Sequence, residues 1–315
     1  MAARLASFDL GTNTFLLLIA DLQDGRLTPV CERETIVRLG KDVDAAGNLH
    51  ADAMQRGLRC LQEYLRLARE HRAAQIIAVG TSALRDAANR EEFLQRVQAE
   101  TGLTVQIISG ETEARLTYLG ALSSQPQLAE PIAMVDIGGG STEIVTGTYE
   151  KMYSARSVDI GSVRLTERFL HSDPVTAEEV AALRQQALQV ILATWTRDEL
   201  HTIRSLVGTA GTITTLAAMA QQLTEYDPGH IDGYVLSKKM LRTLVAQLSG
   251  LTIAQRKKLA GLSPARADVI LAGALILEMF MDAYDFDEII VSSRGLRYGV
   301  LLGFEMEERS GRDET

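Results

Sequence analysis

Cysteine and histidine are too sparse in this chain to build a covalent framework or a metal centre from them. The two cysteines, Cys31 and Cys60, make neither a disulfide network nor a zinc knuckle. The five histidines (His50, His71, His171, His201 and His230) are scattered, with no His-x-x-x-His or His-Asp pair. Long hydrophobic runs are missing too. The longest, Phe15 to Ala20 and Val269 to Leu277, are too short to span a bilayer, and Glu278 ends the second. The N-terminus enters a strand almost at once, which leaves no room for a signal peptide, so a reducing cytoplasm and no membrane partner are expected. Positive charge is in deficit. A net charge of −9 argues against a general nucleic-acid binder, although it does not exclude a polyanionic substrate held by local arginines. Low-complexity tracts are absent.

What is present is an ordinary globular composition, 46% hydrophobic and 23% charged, in a chain of 315 residues that is too long for one comfortable core. Two domains are expected, 1–126 and 127–315. The link between them is placed in the stretch from Ser123 to Pro131, which has two prolines and little apolar content. The last helix is allowed to fold back on the first domain.

Two stretches repeat one design: Ser7-Phe8-Asp9-Leu10-Gly11-Thr12-Asn13-Thr14 and Met134-Val135-Asp136-Ile137-Gly138-Gly139-Gly140-Ser141-Thr142. In each, an apolar run reads as a buried strand, delivers an aspartate, passes through a small-residue turn and re-enters an apolar run. Phosphate loops are built this way. Glycine lets the backbone approach an anion, N–H groups and hydroxyls cradle its oxygens, and the aspartate can hold a metal or its water. A single Asp-x-Gly after an apolar run is also an ordinary strand exit. Two of them, each feeding a hairpin-like segment with Asp24-Gly25 as the first turn, predict two related halves facing across a phosphate-binding cleft.

Strands are expected over 4–9, 75–79, 104–108, up to 136, 203–207 and 288–292. Helices are expected over about 51–70, 90–100, from 111, 176–195, through most of 213–262, and over 265–281, with a short final helix. Alternating strands and helices make this an α/β chain with mixed sheets.

Several side chains at predicted strand ends carry chemistry. Glu113, in Ser109-Gly110-Glu111-Thr112-Glu113-Ala114, opens a helix, where a carboxylate has a plain explanation in the helix dipole. Beside two phosphate loops it also suits a general base for an attacking water. Glu111 competes for that role, and spacing does not separate the two. Arg85 reads either as a surface partner of Asp86 or as a bidentate clamp on phosphate oxygens. Arg164, after Gly161-Ser162, and Arg297, after Gly295, pose the same alternative. Glu143 follows the second loop and completes a magnesium site with Asp9 and Asp136, or is a solvated strand residue. Gly208-Thr209-Ala210-Gly211-Thr212 holds a nucleotide base or ribose, or is only a tight helix entry.

Asp-x-Gly-Thr-Asn, the segment 80–89, Ile-Ser-Gly-x-x-Glu-Ala-Arg (108–115), Asp-Ile-Gly-Gly-Gly-Ser-Thr-Glu (136–143), Gly-x-x-Gly-Thr (208–212) and Ser-x-x-Gly-Leu-Arg (292–297) run in order over nearly the whole chain. Together they resemble the exopolyphosphatase/guanosine pentaphosphatase (Ppx/GppA) family. The resemblance implies two ribonuclease-H-like domains of the actin-like ATPase and sugar kinase superfamily around a central cleft. It also implies hydrolysis of the terminal phosphoanhydride of inorganic polyphosphate, with guanosine pentaphosphate as the alternative substrate and Mg2+ (or Mn2+) as cofactor. By the same resemblance the catalytic glutamate is Glu113, the essential aspartate Asp136 and the further acidic residue Glu143, so that the expected catalytic residues are Glu113, Asp136 and Glu143; the metal is expected on Asp9, Asp136 and Glu143 from the residue pattern. The resemblance gives the phosphates to Arg85 and to the loops Gly11, Thr12, Asn13, Thr14 and Gly138, Gly139, Gly140, Ser141, and the residue pattern adds Arg164, Gly208, Gly211 and Arg297 as candidate phosphate contacts.

Two departures stand out. Longer members continue into a histidine-aspartate type helical domain that extends the polymer channel and helps dimerise. Its absence here predicts weaker processivity and a preference for shorter chains, while a homodimer remains compatible with the resemblance. Tyr298 follows Arg297 where many members have glutamate. A superfamily kinase and a non-catalytic alarmone sensor are the rival readings.

Overall fold

Two sheets of one plan carry the chain. The computed structural model describes residues 3–125 and 127–313, with 305–313 as backbone. The first sheet has order β3-β2-β1-β4-β5: β1 (Ala3–Leu10), β2 (Thr14–Gln23), β3 (Arg26–Ile36), β4 (Gln75–Gly80) and β5 (Val105–Ile107). The second has order β10-β11-β9-β6-β7-β8: β6 (Ile132–Ile137), β7 (Thr142–Gly147), β8 (Met152–Val158), β9 (Ser205–Thr209), β10 (Val235–Ser237) and β11 (Glu288–Val291). In both, three antiparallel strands are followed by two parallel ones, and the second sheet adds antiparallel β10 at its edge. These are the two related halves that the repeated motif predicts, in the two-sheet α/β form that the resemblance implies.

The repeat extends to individual hydrogen bonds. The Gly11 amide donates to the Thr14 carbonyl at 3.1 Å, and the Gly138 amide donates to the Ser141 carbonyl at 3.0 Å. The Gly80 carbonyl, at the end of β4, accepts from Ile108 at 3.1 Å, and the Gly208 carbonyl, in β9, accepts from Ser292 at 2.8 Å. Strand β6 is buried along its whole length, as a central strand covered on both faces must be. The Asp24-Gly25 turn joins β2 to β3 with φ of 51° and 76°, the paired positive values of a type I′ hairpin.

The first unit is the chain up to Ser123 together with the segment from Gly295; the second is Ser124–Arg294. The boundary expected at 126/127 therefore moves slightly, and the second unit ends before 315. The cause is a helix crossing. The helix Leu296–Asp313, longer than the short one expected, lies against β1 and against the helix Gly110–Leu122. At the crossing a Cβ on Gly120 would stand 2.1 Å from the Gly295 carbonyl oxygen, and one on Gly299 would stand 1.7 Å from the Leu116 carbonyl oxygen. Glycine spacing at 295, 299 and 303 gives this helix a flat face that brings the two backbones together. Leu301 and Tyr298 then bury beside Leu5 and Leu18.

The second unit has its own core, built on the helices Ala177–Thr194, Ala210–Ala220, Lys238–Ser249 and Ile270–Ala283 over the sheet. Three elements depart from expectation. Strand β8 and the helix Ser162–Phe169 were not foreseen, and β10 interrupts the stretch expected to be helical. Asp232 ties the two ends of this unit: its Oδ1 accepts from Ser124 Oγ at 3.0 Å and from the Ser293 amide at 2.8 Å. Among the described residues no helix is long and apolar enough to cross a membrane.

Candidate active site

In each unit the parallel strands end on one edge of the sheet, which is where ligands of open α/β sheets bind. In the first unit β1 ends at the Asp9 loop, β4 at Gly80-Thr81, and β5 at Ser109. The loop 11–14 is held from outside itself. The Thr12 carbonyl accepts from the Gly40 amide and the Asn13 carbonyl from the Arg38 amide, each at 2.8 Å. Asp9, Thr12 and Asn13 are all buried, and Asn13 Nδ2 has no hydrogen-bond acceptor among the described residues. A buried donor of this kind costs about 1–3 kcal/mol until an acceptor reaches it.

Ser109 caps the helix Gly110–Leu122 by accepting from the Thr112 amide at 3.1 Å, which places Glu113 in the first turn. Glu111 is exposed and pairs with Arg115 on its own helix at 2.8 Å. Glu113 is buried and receives Arg85 Nη1 on its Oε2 at 2.5 Å. Arg85 comes from the short helix Ser82–Asp86 after β4, and its Nη1 also donates to the Ile108 carbonyl at 3.2 Å. The structure therefore separates the two glutamates that spacing could not, and it pairs Arg85 with Glu113 rather than with Asp86. Burial pushes the Glu113 carboxyl above the usual carboxylate range, and Arg85 opposes the shift without cancelling it.

Arg297 is engaged elsewhere in this unit. Its guanidinium is buried, its Nη2 donates to Glu32 Oε2 on β3 at 2.5 Å, and its carbonyl accepts from Ser7 Oγ at 2.6 Å. Of the two readings left open for Arg297, the structure shows the ion pair, with Glu32 as its anion at the start of the last helix.

In the second unit the loop 138–141 is tied down by the segment after β8. The Gly138 carbonyl accepts from the Ser162 amide at 2.9 Å, and the Gly139 carbonyl accepts from Val163 and Arg164 at 2.9 and 3.1 Å. The Gly140 carbonyl accepts from Arg164 Nε at 2.8 Å. Arg164 is thus a brace for the glycine loop. With its carbonyls engaged, the loop has its amide side to offer an anion. Gly161 permits this contact, since a Cβ there would stand 2.4 Å from the Gly139 oxygen.

Asp136 on β6 is in register with Glu143 on β7 and, on its other side, with Thr209 on β9. Register partners share a face with Cβ atoms about 4.5–5.5 Å apart, so the two carboxylates are neighbours. Both are buried. Among the described residues no three His, Cys, Asp or Glu side chains gather to hold a metal by themselves. A magnesium ion bound through two carboxylates, waters and substrate oxygens fits this donor set. Asp9 occupies the equivalent strand position in the other unit.

The third glycine-rich exit carries a residue that the sequence reading overlooked. A Cβ on Gly211 would stand 2.2 Å from Nη1 and 2.5 Å from Cζ of Arg266. The turn Pro264–Arg266 thus lays a buried guanidinium on the start of the helix Ala210–Ala220. Gly208 instead makes room for the Ile289 and Ile213 side chains, a packing role.

Residues 18–308 match the model of the Ppx/GppA phosphatase family. The chain is 38% identical over 312 residues to exopolyphosphatase 2 of Mycobacterium tuberculosis, covering 95% of this chain and 98% of that one. Its fold is similar to the crystal structure of the Aquifex aeolicus family member, with a TM-score of 0.82 and 36% identity over 98% of this chain and 99% of that one. An exopolyphosphatase structure from Cytophaga hutchinsonii gives a TM-score of 0.87 at 30% identity, over 95% and 96% of the two chains. With the family model matching residues 18–308 and the similarity to its relatives extending over nearly the whole chain, the chain belongs to the Ppx/GppA phosphatase family.

Proposed function

We propose that this phosphoanhydride hydrolase removes the terminal phosphate of inorganic polyphosphate and releases orthophosphate. The observation that carries the reading is Glu113, a buried carboxylate with a raised proton affinity at a strand end, held by Arg85. In the proposed reaction Glu113 takes a proton from a water as its oxygen attacks the terminal phosphorus. The bond to the bridging oxygen breaks, and that oxygen keeps the electron pair as the end of the shortened chain. Asn13 Nδ2 and the loop 11–14, in the same unit as Glu113, supply donors for the phosphate oxygens.

Asp136 and Glu143 would hold Mg2+ (or Mn2+), which when bound neutralises charge on the phosphate oxygens. A polyanionic substrate is compatible with a chain of net charge −9 because the cation and the arginines at the strand ends set the local potential. The family and the relatives named exopolyphosphatase support the substrate class.

The test is phosphate release with magnesium from short polyphosphate, long polyphosphate and guanosine pentaphosphate in parallel, with Glu113→Gln as control. Glu113-dependent release from polyphosphate is the expected result. Release from guanosine pentaphosphate alone would move the assignment to alarmone hydrolysis.

A further inference from the structure

The carboxylate rung of the second unit has one more member. Ser157 on β8 is in register with Glu143 on β7, and its Oγ donates to Glu143 Oε1 at 2.6 Å. Across the sheet the rung therefore reads Ser157, Glu143, Asp136, Thr209, four polar side chains in a row on four hydrogen-bonded strands. The equivalent rung of the first unit reads Glu34, Leu16, Asp9, Val79. There a leucine stands where the second unit has Glu143, and glutamate stands where it has Ser157. The two halves share a backbone plan but not this chemistry.

Glu143 is 1% exposed. A long acidic side chain in such a place has three rotatable bonds to fix, and its charge must be met by donors with defined geometry. The Ser157 hydroxyl is a short, charge-assisted donor mounted on the neighbouring strand. We infer that Ser157 is a positioning residue: it holds the Glu143 carboxylate in the rotamer that faces Asp136's rung and so sets the affinity of the unit for a divalent cation. The inference rests on the assignment of Asp136 and Glu143 as the cation's carboxylates. Ser157 does not touch the substrate or the cation; it acts through Glu143. Partners that orient a metal-binding carboxylate change metal affinity by about 10–100-fold when removed.

The test compares the full-length chain with its Ser157→Ala, Ser157→Thr and Glu143→Gln variants. Mn2+ alone is titrated in, with free Mn2+ read by electron paramagnetic resonance, and the Mg2+ concentration dependence of phosphate release is measured alongside. Ser157→Ala is expected to weaken Mn2+ binding and raise the Mg2+ requirement by about 10–100-fold, with kcat at saturating Mg2+ within about threefold of the parent. Ser157→Thr, which keeps the hydroxyl, restores both. Parent-like Mn2+ affinity in Ser157→Ala, while Glu143→Gln loses binding, would overturn the role of Ser157 and leave the carboxylate assignment standing. Parent-like affinity in Glu143→Gln would overturn the carboxylate assignment itself. A variant that only melts earlier, with its metal dependence unchanged, would make Ser157 a structural residue and also overturn the inference.

Discussion

Arg85 Nη1 and Glu113 Oε2 lie 2.5 Å apart, both largely buried, on helices that follow adjacent parallel strands. Desolvation raises the proton affinity of the Glu113 carboxyl, and the guanidinium opposes that rise without cancelling it. A base built this way has a higher proton affinity than an exposed glutamate. Replacing Glu113 by glutamine is expected to lower kcat by about 10²- to 10⁴-fold while leaving KM within a few-fold, because the amide keeps the shape and loses the proton acceptor. Steady-state kinetics on short polyphosphate check this, and parent-like turnover would remove Glu113 from the base role.

The same pair sets a pH dependence. Glu113 acts only when deprotonated, and burial raises its proton affinity above the usual carboxylate range, so the acid limb of kcat/KM falls above that of an exposed glutamate. Activity should rise with pH through this limb. In Arg85→Gln the opposing charge is gone and burial remains, so the limb should move to still higher pH; Arg85→Lys should lie between. A pH profile that is the same in parent and Arg85→Gln would show that Arg85 does not tune the base.

Much of this site was legible because strand ends, glycine turns and acidic residues leave local marks. The loops 11–14 and 138–141, Arg85 and Glu113 could each be named from spacing or from the resemblance. Choosing Glu113 over Glu111 by residue chemistry needed burial, which depends on which side of the first helical turn packs into the unit. What remained hidden was set by tertiary packing. Strand β8 mixes Met152, Tyr153, Ser154, Ala155 and Arg156 without a clean alternation, since as an edge strand it is only half-buried. The helix Ser162–Phe169 begins directly after Gly161, so its first residues read as a phosphate turn. For Arg297 the choice between a clamp and an ion pair stayed open because its partner, Glu32, is remote in sequence. The glycine spacing at 295, 299 and 303 was visible, but its meaning depends on Gly120, far earlier in the chain.

That glycine face makes a prediction about stability. Alanine at 299 gains about 1 kcal/mol in helix propensity but must fit a Cβ that would stand 1.7 Å from the Leu116 carbonyl oxygen, a backbone atom that cannot step aside alone. Overpacking should win, with a net loss at or above the upper end of about 1–3 kcal/mol. Gly303→Ala is the contrast. Its Cβ would meet Leu116 Cδ2 at 2.7 Å, the end of a side chain that can rotate, so the loss should be near zero. Urea unfolding of the two variants checks the order, and equal losses would mean that the crossing relaxes as a rigid body.

The contact between Gly211 and Arg266 can be isolated in the same way, because the two residues oppose each other through one atom group. In the parent, alanine at 211 places a Cβ 2.2 Å from Arg266 Nη1 and displaces a buried guanidinium, at a cost of about 1–3 kcal/mol. In an Arg266→Ala background that obstacle is absent, and the same substitution should become favourable by up to about 1 kcal/mol from helix propensity. The sign of the Gly211→Ala effect is thus expected to reverse between backgrounds, a coupling that a double-mutant cycle in urea measures directly. Additive effects would mean that Arg266 moves aside without cost, and that the glycine at the third strand exit serves something other than the close approach of this guanidinium.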